Sequence, residues 1–149
     1  KQLQPRIRNQ NAILEIILNT AARRCEQEAI QLSLEIEDFP MDFLSDMDTT
    51  TIFSNLLDNA IDACMELDRS VKRIEVVLCQ KMGLLALRMT NTCQAAADLS
   101  PRQWHSTKKD HMGIGLSNVR KTVEKYHGVV SVRTKEELFQ VSVTIPIKS

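Results

Sequence analysis

Hydrophobic residues recur along this chain with two different periods. Over residues 7–28, Ile7, Ile13, Leu14, Ile17, Leu18, Ala21, Ala22 and Cys25 make one apolar stripe, with Arg8, Glu15, Arg23, Arg24, Glu26 and Gln27 off it. That spacing predicts an amphipathic helix. Residues 31–37 alternate instead, Leu32, Leu34 and Ile36 against Ser33 and Glu35, which predicts a half-buried strand ended by Asp38-Phe39-Pro40. A second helix is predicted over 49–67, with Asp46, Asp48 or Thr49 as its cap. Residues 73–80 and 84–90 read as two strands joined by a turn at Lys81-Met82-Gly83. Residues 92–112 carry no clear period and hold Pro101, Trp104 and Lys108-Lys109; a loop this long in a compact domain is expected to be a functional lid or disordered. A third helix is predicted over 116–127, with Leu116, Val119, Val123 and Tyr126 inward and Gly128 ending it. Strands over 129–134 and 138–147 follow, turned at Lys135-Glu136-Glu137. Three helices and five strands, the strands mostly in hairpins, predict an α+β fold with helices laid on one face of a sheet.

The chain has 149 residues, a single domain's length. Nineteen Lys and Arg balance nineteen Asp and Glu, which argues against a nucleic-acid binder, since that needs a basic excess. No apolar run approaches the ~18 residues of a membrane span. The four cysteines, Cys25, Cys64, Cys79 and Cys93, lack zinc spacing and read as reduced buried thiols. The chain opens on Lys1 rather than Met, so a piece of a longer protein is expected.

Charge is unevenly spread. Residues 41–68 hold Asp42, Asp46, Asp48, Asp58, Asp62, Glu66 and Asp68 and no Lys or Arg. Residues 101–126 hold Arg102, Lys108, Lys109, Arg120, Lys121 and Lys125 against Asp110 and Glu124. Two solvated faces account for this; so does a metal-side wall opposite a phosphate-side wall.

Two features carry candidate chemistry. The helix at 49–67 is apolar nearly all round, save a stripe of Asn55, Asn59, Asp62 and Glu66 with Asp58 beside it. Amides on a nearly buried helix need partners in the protein or a pocket to line. A carboxamide oxygen is a neutral hard ligand, suited to Mg²⁺ that also holds phosphate oxygens. Second, Gly113-Ile114-Gly115-Leu116 opens a helix, where free N–H groups and the positive end of the helix dipole suit phosphate. It is neither a dinucleotide fingerprint, since the third glycine position is Asn118 and no βαβ unit precedes it, nor a Walker A loop. Lys108 and Lys109 are ordinary loop lysines or mobile countercharges for a triphosphate. His111 adjoins the glycines and is a further phosphate candidate. His105 and His127 lack a metal-ligand partner.

Taken together these residues resemble the GHKL ATP-binding superfamily, which includes DNA gyrase and the sensor histidine kinases. Asn55-Leu56-Leu57-Asp58-Asn59-Ala60-Ile61-Asp62-Ala63 resembles its N box, and Gly113-Ile114-Gly115-Leu116-Ser117-Asn118-Val119 its G2 box. They stand about 55 residues apart, in the family's order. The run from Lys108 to Arg120 is similar to the peptide-pheromone quorum-sensing kinases of Gram-positive bacteria, the Agr receptor type. The likeness covers residues 8–149. It implies a Bergerat-type two-layer α/β sandwich over 11–149, about three helices on a five-stranded mixed sheet, with a lid at about 94–112. It also implies that residues 1–10 are the tail of a dimerisation segment.

The resemblance further implies ATP and Mg²⁺ as cofactors and transfer of the γ-phosphoryl to a histidine on a dimerisation domain absent from this chain. A cognate response regulator and a membrane-anchored homodimer, with this domain on the cytoplasmic side, follow from the same likeness. Asn59 takes the place of the metal ligand and is catalytic with Asn55; Asn55 and Asp58 support it, and Asp62 is a further cofactor-binding residue. Lys108, Lys109, His111 and the backbone of Gly113, Ile114, Gly115 and Leu116 take phosphate.

The family pattern is not met throughout. Hydrolysing members have Glu where this chain has Asn55, so phosphoryl transfer is expected over hydrolysis. The G1 box is reduced to Met89-Thr90-Asn91-Thr92-Cys93, leaving Asn91 as an uncharged acceptor for adenine. Trp104 stands where the family often has Phe. No histidine lies on the first helix. A serine kinase of the anti-sigma type and a degenerate, non-catalytic nucleotide-binding or docking module remain as alternatives. Acid lability of the phosphorylated product separates the first from a histidine kinase, and Mg–ATP binding separates the second.

Overall fold

A computed structural model describes residues 7–68, 71–94 and 114–147. Helix α1 spans Ala12–Gln27, capped by Asn11, whose Oδ1 accepts from the Leu14 N–H at 3.0 Å. The predicted start at residue 7 is therefore too early. The Ile7 N–H donates to Asn19 Oδ1 at 3.0 Å and its carbonyl accepts from Asn19 Nδ2 at 3.1 Å, so Ile7 lies beside α1 and packs on the core from there. Strand β1 is Gln31–Ile36 and helix α2 is Asp46–Met65. The cap of α2 is Ser45, not Asp46, Asp48 or Thr49. Its backbone is extended and its Oγ accepts from the Asp48 N–H at 3.0 Å. The two aspartates fall in the first turn, where carboxylates complement the helix dipole.

Strands β2 (Arg73–Lys81) and β3 (Leu84–Thr92) form a hairpin with two loop residues, Met82 and Gly83, both at positive φ. This backbone matches the twist of the strands it joins. Helix α3 is Ile114–Lys125, followed by β4 (Val129–Lys135) and β5 (Leu138–Pro146).

The sheet runs β1-β2-β3-β5-β4, with β1 parallel to β2 and every other pair antiparallel. The segment β1–α2–β2 is thus a βαβ unit lying ahead of the glycine motif, contrary to the sequence reading. Alternation within β1 cannot reveal that its partner lies across a helix. Among the described residues, three helices pack on one face of this five-stranded mixed sheet, as expected of a two-layer sandwich. Alternate strand residues meet them: Ile74, Val76 and Leu78 of β2, Leu85, Leu87 and Met89 of β3, and Val141, Val143 and Ile145 of β5 are all buried. Exposed residues such as Glu75, Arg88 and Ser131 occupy the other face.

Helix α3 ends differently from the expectation. The left-handed residue is His127 (φ 65°), not Gly128. The His127 N–H donates to the Glu124 carbonyl and the Gly128 N–H to the Val123 carbonyl, the paired bonds of a Schellman cap. Gly128 answers a different need. A Cβ there would lie 2.5 Å from the Thr144 carbonyl oxygen and 2.7 Å from Val123 Cγ1, so only glycine lets the chain pass this close to β5. Among the described residues, no helix is long and apolar enough to cross a membrane.

Candidate functional site

Beyond its first turn, where Asp48 and Thr49 are buried, helix α2 buries Ile52, Phe53, Leu56, Leu57, Ala60, Ile61 and Cys64, which leaves the later polar residues on the outer side. Successive helical residues are turned by about 100°. The outer side accordingly divides in two. Asn55 and Asn59 lean toward α3, whereas Asp58 and Asp62 lean toward α1.

Asn55 is half-buried, and its Nδ2 donates to the Thr51 carbonyl one turn earlier at 2.7 Å. That bond uses the amide nitrogen and leaves Oδ1 for the other side. A Cβ built on Gly115 would lie 3.3 Å from Asn55 Oδ1 and 3.6 Å from Asn59 Oδ1. The two carboxamide oxygens therefore face the first turn of α3. Ile114, Gly115 and Leu116 open that helix, and their N–H groups have no intrahelical acceptor. The Leu116 side chain is buried and anchors the turn to the core, so only its backbone is available to a ligand; Ile114 is exposed.

Asp58 and Asp62 are not brought to Gly115. Arg24 of α1 takes both, NH1 to Asp58 Oδ1 at 3.3 Å and NH2 to Asp62 Oδ1 at 3.4 Å. Burial pushes the Asp58 carboxyl above its usual value; Arg24 opposes this and Asp62 adds to it. All three side chains keep much of their exposure, so these pairs add little to stability. The acidic stretch thus splits between an ion pair with α1 and the node described below.

Asn91 is 4% exposed and shares the helix-facing side of β3 with Leu85, Leu87 and Met89. Its Nδ2 donates to the Thr92 carbonyl at 2.9 Å. The end of β3 abuts the C-terminal part of α2, where Cys64 Sγ lies 3.6 Å from Thr92 Oγ1. Lys108, Lys109, His111, Gly113, Trp104 and nearly all of the expected lid lie outside the described residues.

The sequence reading missed a second polar centre, at the opposite end of α3. Asp48 is 7% exposed. Lys125 Nζ stands 3.0 Å from its Oδ1 and 2.9 Å from its Oδ2, and the Tyr126 hydroxyl donates to Oδ2. Tyr126 also accepts from the Ser45 N–H and meets Phe43 edge-on, ring centroids 6.3 Å apart. Each residue carried a sign in the sequence: Asp48 a candidate cap, Lys125 in the basic stretch, Tyr126 inward. Nothing local pairs residues 77 and 78 positions apart.

Burial alone would push the Asp48 carboxyl up. Hydrogen bonds from Tyr126, Lys125 and Ser45, with the charge of Lys125, outweigh it and hold the group below the usual carboxylate range. A depressed carboxylate contributes stability that is complete above its unfolded pKa, ~3.9, and is lost as pH falls toward the folded value. Asp48→Asn is therefore expected to be less stable than the parent at pH 7. The gap should close in denaturant titrations run below about pH 4.

The cysteines stay outside the chemistry. All four are free thiols. Burial pushes Cys25 up to about 11, and it raises Cys93 as well, with Cys64 adding to both. Such thiols are poor nucleophiles.

Among curated proteins no relative matches the chain. Solved structures do. The histidine kinase AdeS of Acinetobacter baumannii superposes with a TM-score of 0.67 at 13% identity, over 93% of this chain and 64% of that one. This chain thus spans less than two thirds of the AdeS chain it matches. The nucleotide-free catalytic domain of the histidine kinase ThkA gives a TM-score of 0.67 at 17% identity, covering 93% of each chain. The histidine kinase domain of a blue-light activated kinase from Erythrobacter litoralis gives 0.66 at 15%, over 91% of this chain and 61% of that one. At these identities the likeness is one of fold. The profile described as the GHKL domain matches residues 44–146, from just ahead of α2 to the end of β5, and so takes in both asparagines and the glycine turn. With that match over more than half its length, the chain belongs to the GHKL domain family.

Proposed function

We propose that this chain is the ATP-binding catalytic domain of a sensor histidine kinase, holding ATP–Mg²⁺ and passing the γ-phosphoryl to a histidine on a dimerisation domain outside this chain. The observation that carries the reading is the pair of carboxamide oxygens, from Asn55 and Asn59, set against Gly115 at the N-terminal turn of α3. The donor set fits the cofactor. A neutral oxygen can hold a hard cation without cancelling the charge that cation offers to phosphate. The Thr51 bond orients Asn55 beforehand. The absent side chain at Gly115 leaves the backbone N–H groups open to an anion.

In this reading Asn59 holds the metal and Asn55 supports it. When bound, Mg²⁺ neutralises charge on the phosphates, which is most of what phosphoryl transfer requires. The N–H groups from Gly113 to Leu116 take phosphate oxygens, with Lys108, Lys109 and His111 as further phosphate contacts. Asn91, on the helix-facing side of the sheet, offers its Oδ1 to the adenine amino group. Asp58 and Asp62, held by Arg24, shape the local field rather than ligate. Asn55 has no basic carboxylate to take a proton from water, which favours an imidazole acceptor over hydrolysis.

The whole protein, on this proposal, is a membrane-anchored homodimer of the peptide-pheromone quorum-sensing type. This domain lies on the cytoplasmic side, and a response regulator takes the phosphoryl group onward.

The test has two parts. Titration of a fluorescent ATP analogue should give saturable binding that weakens at least tenfold when Mg²⁺ is chelated. Incubation with labelled ATP and a histidine-bearing dimerisation segment should give an acid-labile product. An acid-stable product would point to a serine kinase. Absence of binding at millimolar nucleotide would reduce the domain to a docking module.

A further inference from the structure

We propose that Asp48, with Lys125 and Tyr126, is a positioning clamp that sets the register of α3 against α2 and so holds Gly115 at the asparagine oxygens. The proposal rests on the phosphate role of that turn given above.

The two helices touch at both ends. Asp48, near the start of α2, meets the residues at the end of α3, while Asn55 and Asn59, further along α2, meet the start of α3. They are therefore antiparallel. Eleven positions separate Asp48 from Asn59, and eleven separate Gly115 from Tyr126. At 1.5 Å per residue both spans are about 16 Å, so fixing one end fixes what stands opposite at the other.

Between the ends, α3 is held by Leu116, Val119 and Val123, all buried. Apolar packing is non-directional: this stripe fixes which face of α3 turns inward, and three contacts of this kind define its exact position less sharply than a polar bond does. A carboxylate that accepts from a tyrosine hydroxyl and an ammonium is directional. Of its partners, Tyr126 is itself held, by the Phe43 ring and the Ser45 N–H, while Lys125 reaches in from solvent, 5.7 Å from the Tyr126 ring. A full one-residue slip, about 1.5 Å with a rotation of about 100°, would carry Leu116, Val119 and Val123 out of the core and is already barred by their burial, so the clamp acts on smaller displacements. A shift of about 1 Å keeps those residues buried yet is enough to spoil the approach of Gly115 to the oxygens of Asn55 and Asn59. With Asp48 buried and Lys125 exposed, the ion pair itself adds little to stability; fixing a register is the better-attested use of such a buried polar group. The carboxylate has no bond to the asparagines or the glycine turn, so its effect on them passes through the helices.

The experiment reads the far end of the helix. In Asp48→Asn and Tyr126→Phe, the amide resonance of Gly115 and the side-chain amides of Asn55 and Asn59 are expected to shift without nucleotide present. Affinity for the Mg–ATP analogue should fall about tenfold while near-native circular dichroism is retained. A cycle with Gly115→Ala makes the role explicit. In the parent, the added methyl crowds Asn55 Oδ1 and should cost about tenfold in affinity; in Asp48→Asn, where α3 can yield, it should cost less than about threefold. Should Asp48→Asn fail to fold, Lys125→Gln and Tyr126→Phe carry the same readouts.

Unshifted resonances at Gly115 and the asparagines in a folded variant would overturn the clamp, as would fully additive losses. Failure of the unaltered protein to bind the analogue would instead overturn the functional reading. The nucleotide-free resonances would still decide the clamp.

Discussion

Asn59→Ala is expected to remove nearly all of the Mg²⁺-dependent part of nucleotide affinity and to lower phosphotransfer by about 10²–10³. The argument is one of placement. Asn59 Oδ1 stands beside the first turn of α3, within 3.6 Å of where a Gly115 side chain would begin, and alanine withdraws the oxygen while leaving the helix intact. The residue is only half-buried, so stability should change by less than about 1 kcal/mol. Asn59→Asp, which keeps an oxygen in place, should retain metal-dependent binding in part. Analogue titrations with and without Mg²⁺, alongside thermal melts, separate loss of the ligand from loss of the fold. An alanine variant with parental Mg–ATP binding and turnover would remove Asn59 from the site.

Gly128→Ala is expected to be among the most destabilising single substitutions in the chain, at about 3 kcal/mol. For a domain this size that is a fall in Tm of roughly 6–12 °C. Two effects oppose each other. Gly128 does not need positive φ, so alanine would ordinarily stabilise by about 0.4–1 kcal/mol through the unfolded chain. Against this, its Cβ would meet the Thr144 carbonyl oxygen at 2.5 Å, Val123 Cγ1 at 2.7 Å and Ile145 Cγ1 at 3.0 Å. The nearest of these atoms is backbone in a strand paired on both sides, which cannot yield without moving β5. The clash decides the sign. A Tm within about 2 °C of the parent would show that β5 gives way more easily than strand pairing implies.

Much of this was readable from the chain itself. The elements follow from period and punctuation: the 3.6-residue stripe of α1, the alternation of β2, β3 and β5, the Met82-Gly83 turn. Asn55 and Asn59 were visible because a polar pair four residues apart interrupts an otherwise apolar helix, and GIGL was visible because two glycines open another. The errors are of one kind. Ile7 continued the stripe of α1 in sequence but reaches the core from beside the helix, through Asn19. Asp58 and Asp62 lie near the asparagines in sequence, yet the helical turn aims them at Arg24. Gly128 was placed as a helix stop, whereas His127 takes the left-handed backbone and Gly128 serves a neighbour strand.

What the sequence determined by itself is therefore local: which residues form helices and strands, which faces are apolar, and which polar groups break the pattern. Backbone sterics and burial act over a few residues and leave a periodic trace. Tertiary structure alone decided which of those groups meet. The parallel pairing of β1 with β2, the approach of Gly115 to Asn55 and Asn59, and the joining of Asp48 to Lys125 and Tyr126 each span tens of residues. They depend on how helices are registered across a shared core, and no local period records that.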